Sequence, residues 1–178
     1  RLLYEELTKK EINRQPTMYF EGKPFNGVVV DFYSSGQLQS ETPYKDGKKD
    51  GLYQSWRENG QLFQEVNFMG DKKDGLVRKW YENGQLKSEY YLKGGVEHGL
   101  YKKWHDNGQL AREFNHKYGK MDGLYQEWYE NGQLALKYNL KNDELDGLCQ
   151  EYWPDNDNGQ LSSEETYKNG ERDGLRQE

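Results

Sequence analysis

Gly123-Leu-Tyr-Gln-Glu-Trp-Tyr-Glu-Asn-Gly-Gln-Leu-Ala-Leu-Lys-Tyr-Asn-Leu140 decides the fold. Two short aromatic and aliphatic runs flank Glu130-Asn131-Gly132, which reads as a β-hairpin. A helix is ruled out by the two or three glycines that fall in every such stretch.

The stretch recurs. The glycine that opens each copy falls at Gly27, Gly51, Gly75, Gly99, Gly123, Gly147 and Gly174, in five steps of 24 residues and a last step of 27. The turn glycines, Gly36, Gly60, Gly84, Gly108, Gly132 and Gly159, each precede the next opening glycine by 15 residues. The three extra residues of the sixth copy therefore lie around 154–158. A fixed period of this size is the signature of a repeat architecture. The chain divides into residues 1–26, a cap or degenerate leading repeat, and residues 27–178, which hold six repeats (27–50, 51–74, 75–98, 99–122, 123–146, 147–173) and the opening of a seventh. Because it starts at Arg1 rather than Met and stops inside that seventh opening, it reads as a processed product or a piece of a longer array.

Loop length decides which side chains share a face. A three-residue Glu-Asn-Gly loop, with its glycine left-handed in a bulge, sets Trp128 across from Leu134 and gathers apolar residues on one side. Applied throughout, this register predicts a ladder of Trp56, Trp80, Trp104 and Trp128 with Leu62, Leu86, Leu110 and Leu134. Phe32 with Leu38 and Tyr152 with Leu161 extend it at the two ends. Carried further along the strands, it places Leu124 across from Tyr138, so that Val28, Leu52, Leu76, Leu100, Leu124 and Leu148 interleave with Val66, Tyr90, Phe114 and Tyr138. The other face is then expected to show Tyr53, Tyr101 and Tyr125 opposite Glu65, Glu113 and Lys137, with Tyr33, Tyr81 and Tyr129 near the turns. The expected fold is all-β: an elongated single-layer antiparallel meander of stacked hairpins, ~60 Å long at ~4.8 Å per strand.

Composition agrees with a thin, folded structure. Only 33% of the 178 residues are apolar and the mean hydropathy is -1.28, yet 15% are aromatic, including 15 tyrosines, which disordered chains lack. A net charge of -6, with both signs interleaved, offers no basic field for nucleic acid and no polybasic patch for anionic lipid. No apolar run is long enough for a membrane helix, and no signal-peptide core stands at the start. The single Cys149 excludes an internal disulfide framework and a multi-cysteine metal site.

No constellation points to catalysis, a metal or a cofactor. His98, His105 and His116 fill slots held by other residue types in sister repeats, and Cys149 stands where Tyr53, Tyr101 and Tyr125 stand. Glu41, Glu65, Glu89, Glu113 and Glu164 are spread along the array and cannot converge on one atom. The run Pro154-Asp-Asn-Asp-Asn-Gly159 resembles a calcium loop, but proline occupies its first-ligand position. Tyrosine brings a large amphipathic area at low entropic cost, so Tyr33, Tyr53, Tyr81, Tyr101, Tyr125 and Tyr129 are the candidate partner-binding residues. Terminal sheet edges offer a route to self-association.

Trp-Tyr-Glu-Asn-Gly-Gln-Leu, as in Trp80 to Leu86, followed by Asp-Gly-Leu-Tyr, as in Asp122 to Tyr125, resembles the variant bacterial form of the MORN repeat (membrane occupation and recognition nexus). The likeness covers residues 27–178. It implies a non-catalytic scaffold for a protein partner, and a setting that is exported or at the cell surface. Proteins of this look are also labelled YwqK-family antitoxins, which implies instead a cognate toxin held in the cytoplasm.

Overall fold

The computed structural model describes residues 1–12, 15–154 and 159–174. The three-residue insertion with its calcium-like run, and the opening of a seventh repeat, fall largely on 155–158 and 175–178, outside the described residues. The fold is all-β, a meander of stacked hairpins. The one helical turn described is the 3-10 turn Tyr4–Glu6, and no helix is long and apolar enough to cross a membrane. By packing, the chain forms two compact units, Arg1–Gly84 with Leu92–Gly95, and Gln85–Tyr91 with Val96–Glu178.

The first unit begins with β1 (Leu2–Leu3), β2 (Thr8–Ile12), β3 (Gln15–Phe20) and β4 (Lys23–Pro24). β2, β3 and β4 form a small antiparallel sheet of their own. The meander follows as β5 (Gly27–Phe32), β6 (Leu38–Lys45), β7 (Lys48–Lys49), β8 (Gly51–Trp56), β9 (Leu62–Met69) and β10 (Lys72–Trp80). β1 runs parallel to β5 and so covers its outer edge, Leu2 beside Val29. The small sheet is pinned to the meander where Met18 N–H donates to Gly47 O and Gly47 N–H to Phe25 O, both at 2.8 Å. Between them lies a core of Met18, Phe25, Val29 and Tyr44, joined by Leu2, Leu7 and Phe20.

The second unit contains β11 (Leu86–Lys93, of which the residues to Tyr91 belong here), β12 (Val96–Glu97), β13 (Gly99–Trp104), β14 (Leu110–Lys117) and β15 (Lys120–Trp128). It continues through β16 (Leu134–Lys141), β17 (Glu144–Tyr152), β18 (Leu161–Lys168) and β19 (Glu171–Arg172). Each strand from β13 to β19 pairs antiparallel with the next.

The turns have the expected form. Tyr129 N–H donates to Gln133 O and Gly132 N–H to Tyr129 O, both at 2.9 Å, which encloses a three-residue loop. Gly132 sits at φ +83°, where a side chain is strained, and the other five turn glycines also have positive φ. The tight pairs Phe32–Leu38, Trp56–Leu62, Trp104–Leu110, Trp128–Leu134 and Tyr152–Leu161 are all present. Trp80 ends β10 in the first unit and Leu86 opens β11 in the second.

Beyond those pairs the expected register is wrong by one residue. The hairpins that lie within one unit carry a second bulge directly after the Trp–Leu pair: Glu127 faces Leu136, so Ala135 is an extra residue. Phe63, Ala111 and Ser162 play the same part in other repeats. A one-residue slip sends every later side chain to the opposite face. Leu124 therefore faces Asn139, Tyr125 faces Tyr138, and Gln126 faces Lys137. Likewise Tyr53 faces Val66 rather than Glu65, and Tyr101 faces Phe114 rather than Glu113.

A third irregularity marks the opening glycines. Between the pairs Val77–Val66 and Lys73–Phe68, three residues of β10 oppose the single Asn67, whose amide donates to Leu76 O at 3.0 Å. A Cβ on Gly75 would lie 3.0 Å from Asn67 Cβ, and with φ at +110° glycine is the residue that fits.

Candidate functional site

The corrected register sorts the side chains into two unlike faces. One carries the tyrosines. In the second unit Tyr90, Tyr101, Phe114, Tyr125 and Tyr138 form a continuous stack, with ring centroids 5.5, 4.6, 5.4 and 4.5 Å apart and planes within 24°. Offset stacking of this kind adds ~0.5–1.5 kcal/mol per pair to the burial term. Each inner ring uses both faces on its neighbours, so a sugar or a nucleobase cannot lie flat on it. Tyr125 is only 6% exposed. Its hydroxyl donates to Glu127 Oε2 at 2.8 Å, and Arg112 reaches both oxygens of the same carboxylate at 3.1 Å. Burial raises the phenol pKa values of Tyr90, Tyr101, Tyr125 and Tyr138, with the bond to Glu127 adding to the rise at Tyr125. Cys149 continues the column beyond Tyr138. Burial raises its thiol too, followed by the charges of Glu151 and Glu165, so it is poorly disposed to act as a thiolate.

In the first unit the same column reads Tyr53, Val66, Val77, with Val66 and Val77 at 3% and 2% exposure. Tyr53 meets Phe68 edge-on at 6.3 Å.

The turn-side tyrosines do a different job. Tyr33 OH donates to Trp56 O and Tyr129 OH to Tyr152 O, both at 2.8 Å and both 23 residues ahead. Arg57 Nη2 donates to Trp80 O at 3.1 Å, and His105 Nε2 lies 2.8 Å from Trp128 O. This repeat position, Tyr33, Arg57, Tyr81, His105, Tyr129 and Trp153, is filled throughout by side chains that can donate. The requirement explains why His105 and Arg57 stand in a tyrosine slot. Tyr81 begins its turn, accepting from Gly84 N–H at 3.2 Å. Of the six tyrosines singled out as partner contacts, three thus lie in the central column and two spend their hydroxyls on the next repeat.

The opposite face carries the other set. Its middle row pairs charges and amides: Gln54 donates to Glu65 at 2.9 Å, Lys102 meets Glu113 at 3.0 Å, and Gln150 donates to Glu164 at 2.8 Å. Beside it runs a row of apolar residues that stay in water. Leu52 is 42% exposed in the first unit; Tyr91, Leu100, Leu124 and Leu148 are 42%, 46%, 41% and 40% exposed in the second. The expected register, which lacks the extra residue, had hidden this row among aromatic neighbours.

Loop edges are joined repeat to repeat as well. Asp71 N–H donates to Lys49 O while Lys49 N–H donates to Asp71 Oδ1, and Asp143 with Met121 repeats the arrangement. His116, 8% exposed, lies 3.1 Å from Glu97. Among the described residues no group of three or more His, Cys, Asp or Glu is placed to hold a metal ion.

Six successive matches to the family model described as MORN repeat variant cover residues 25–46, 49–69, 73–93, 97–118, 121–142 and 145–169. The chain belongs to the MORN repeat variant family. Its matched windows coincide with the hairpins and loops described above, and a MORN array of this kind is a repeat scaffold rather than a typical enzyme fold. No curated protein matches this MORN chain.

Proposed function

We propose that this chain is a non-catalytic scaffold that binds a protein partner, in an exported or surface-associated setting, through the leucine-bearing face of its sheet. The observation that carries this reading is the recurrence of an exposed leucine at one position of three successive repeats of the second unit, Leu100, Leu124 and Leu148. A lone exposed leucine needs no explanation, but a row kept at one position of successive repeats marks a surface with a use. The tyrosine-bearing face supports the reading by contrast, since its rings are spent on each other.

The test places a photo-crosslinking residue at Leu124 and, for comparison, at Lys103 on the opposite face. A discrete one-to-one adduct from position 124, identified by mass spectrometry and rebuilt from purified components, is expected. Leu100→Ser with Leu124→Ser and Leu148→Ser should weaken that complex at least tenfold while leaving the melting curve in place. Equal adducts from both faces, or full binding by the triple variant, would remove the proposal. A toxin as the captured partner would turn the reading toward an antitoxin.

A further inference from the structure

Two shallow clefts, of about 460 and 400 Å³, occupy one and the same place in two repeats. The first is lined by Tyr33, Trp56, Arg57, Glu58 and Phe63; the second has Tyr129, Tyr152, Trp153, Pro154 and Ser162 at the matching positions. Both share the same hydroxyl-to-carbonyl bond, Tyr33 to Trp56 and Tyr129 to Tyr152. In the first cleft the chain supplies its own ligand: the Arg57 guanidinium lies over the Phe63 ring at 4.7 Å, with Glu82 at 3.9 Å. In the second, Trp153 replaces that arginine and is 53% exposed.

The second cleft has a wall of its own that suits a cation, with Glu151 standing where the earlier repeat has Ser55. Glu127, Leu136 and Glu151 face one another across three strands and form its other wall. Glu127 is neutralised by Arg112, whereas Glu151 receives only the Ser163 hydroxyl at 3.2 Å and meets no basic side chain among the described residues. An exposed indole and an uncompensated carboxylate beside Ala135 and Leu136 suit a flat, weakly hydrated cation. We infer that the cleft of Tyr129, Glu151 and Trp153 binds a guanidinium group from outside the chain, held by the exposed indole and the Glu151 carboxylate, at a repeat position where the earlier cleft carries its own Arg57. The site is on the tyrosine-bearing face and stands or falls independently of the leucine row.

The indole N–H signals of the ¹⁵N-labelled chain give the test. A blocked Gly-Arg-Gly peptide should shift the Trp153 signal saturably, and its citrulline counterpart, equal in shape but uncharged, should not. Glu151→Gln should weaken the response at least fivefold, and Trp153→Arg, which removes the indole and sets a competing guanidinium beside the carboxylate, should abolish binding as read by the peptide's own signals. Both residues are exposed, so an unchanged far-ultraviolet spectrum is expected for each variant. Agmatine acting as well as the peptide assigns the cleft to guanidino compounds generally; the peptide acting alone assigns it to arginine within a chain. An equal response to citrulline, or full binding by both variants, overturns the inference.

Discussion

The two units solve one problem in different ways. Each has a sheet with one face to keep from water, and the same column of repeat positions at its centre. The first unit fills that column with Tyr53, Val66 and Val77 and lays a second small sheet over neighbouring strands, where Met18, Phe25, Val29 and Tyr44 close a conventional core. The second unit, among its described residues, has no second sheet, and fills the column with five rings that stack face to face from strand to strand. The cover lies where Val29 holds the column position in the first repeat. Aromatic rings 4.5–5.5 Å apart match the strand spacing and shield one another.

The contrast can be broken most forcefully at the cover. Phe25→Ala, in the core and 7% exposed, should cost about 3–5 kcal/mol. Amide exchange should quicken in the first unit and leave β13 to β18 protected; equal loss in both would mean that the cover serves the whole array. Tyr125→Ala comes next, at about 3 kcal/mol, with exchange quickening in the second unit instead. Tyr125→Phe keeps the stack, loses only the bond to Glu127, and should cost about 1 kcal/mol. If both variants fall equally, the hydroxyl and not the stack holds the column.

Smaller still is Tyr129→Phe, at about 1 kcal/mol or less, which removes the bond to Tyr152 O. Its chemical denaturation midpoint should shift without a change in slope. Smallest at neutral pH is a titration effect that is absent there. The stacked phenols, and Tyr44 pushed up to about 12, ionise later in the folded chain than in the unfolded one. Stability should hold below pH ~10, where both forms are protonated, and fall as pH rises from there through the folded values. Phenolate absorbance that rises in step with unfolding would sharpen the comparison, and early, gradual ionisation would undo it.

Much of the hairpin was readable in the residues: the period, the three-residue loop, the left-handed glycines and the Trp–Leu pair. The faces were not, because one extra residue at Phe63, Ala111 or Ala135 leaves the period untouched while inverting everything after it. A signal was present. Tyr101, Phe114, Tyr125 and Tyr138 fall at positions that only the slipped pairing brings together, and a column of pure aromatics is a better cross-strand set than leucines against tyrosines. The stitching role of Tyr33, Arg57, His105 and Tyr129 could also be sensed, since the slot varies in shape but always keeps a donor. The acceptor could not, because it is a backbone carbonyl and carries no trace in side-chain identity.

The 23-residue reach of those bonds gives the array a direction in time. A donor such as Tyr33 is synthesised 23 residues before the carbonyl of Trp56 that it holds, so that bond can close only once the next repeat's strand has been made. Each of the four links, from Tyr33, Arg57, His105 and Tyr129, therefore runs from an earlier repeat to a later one.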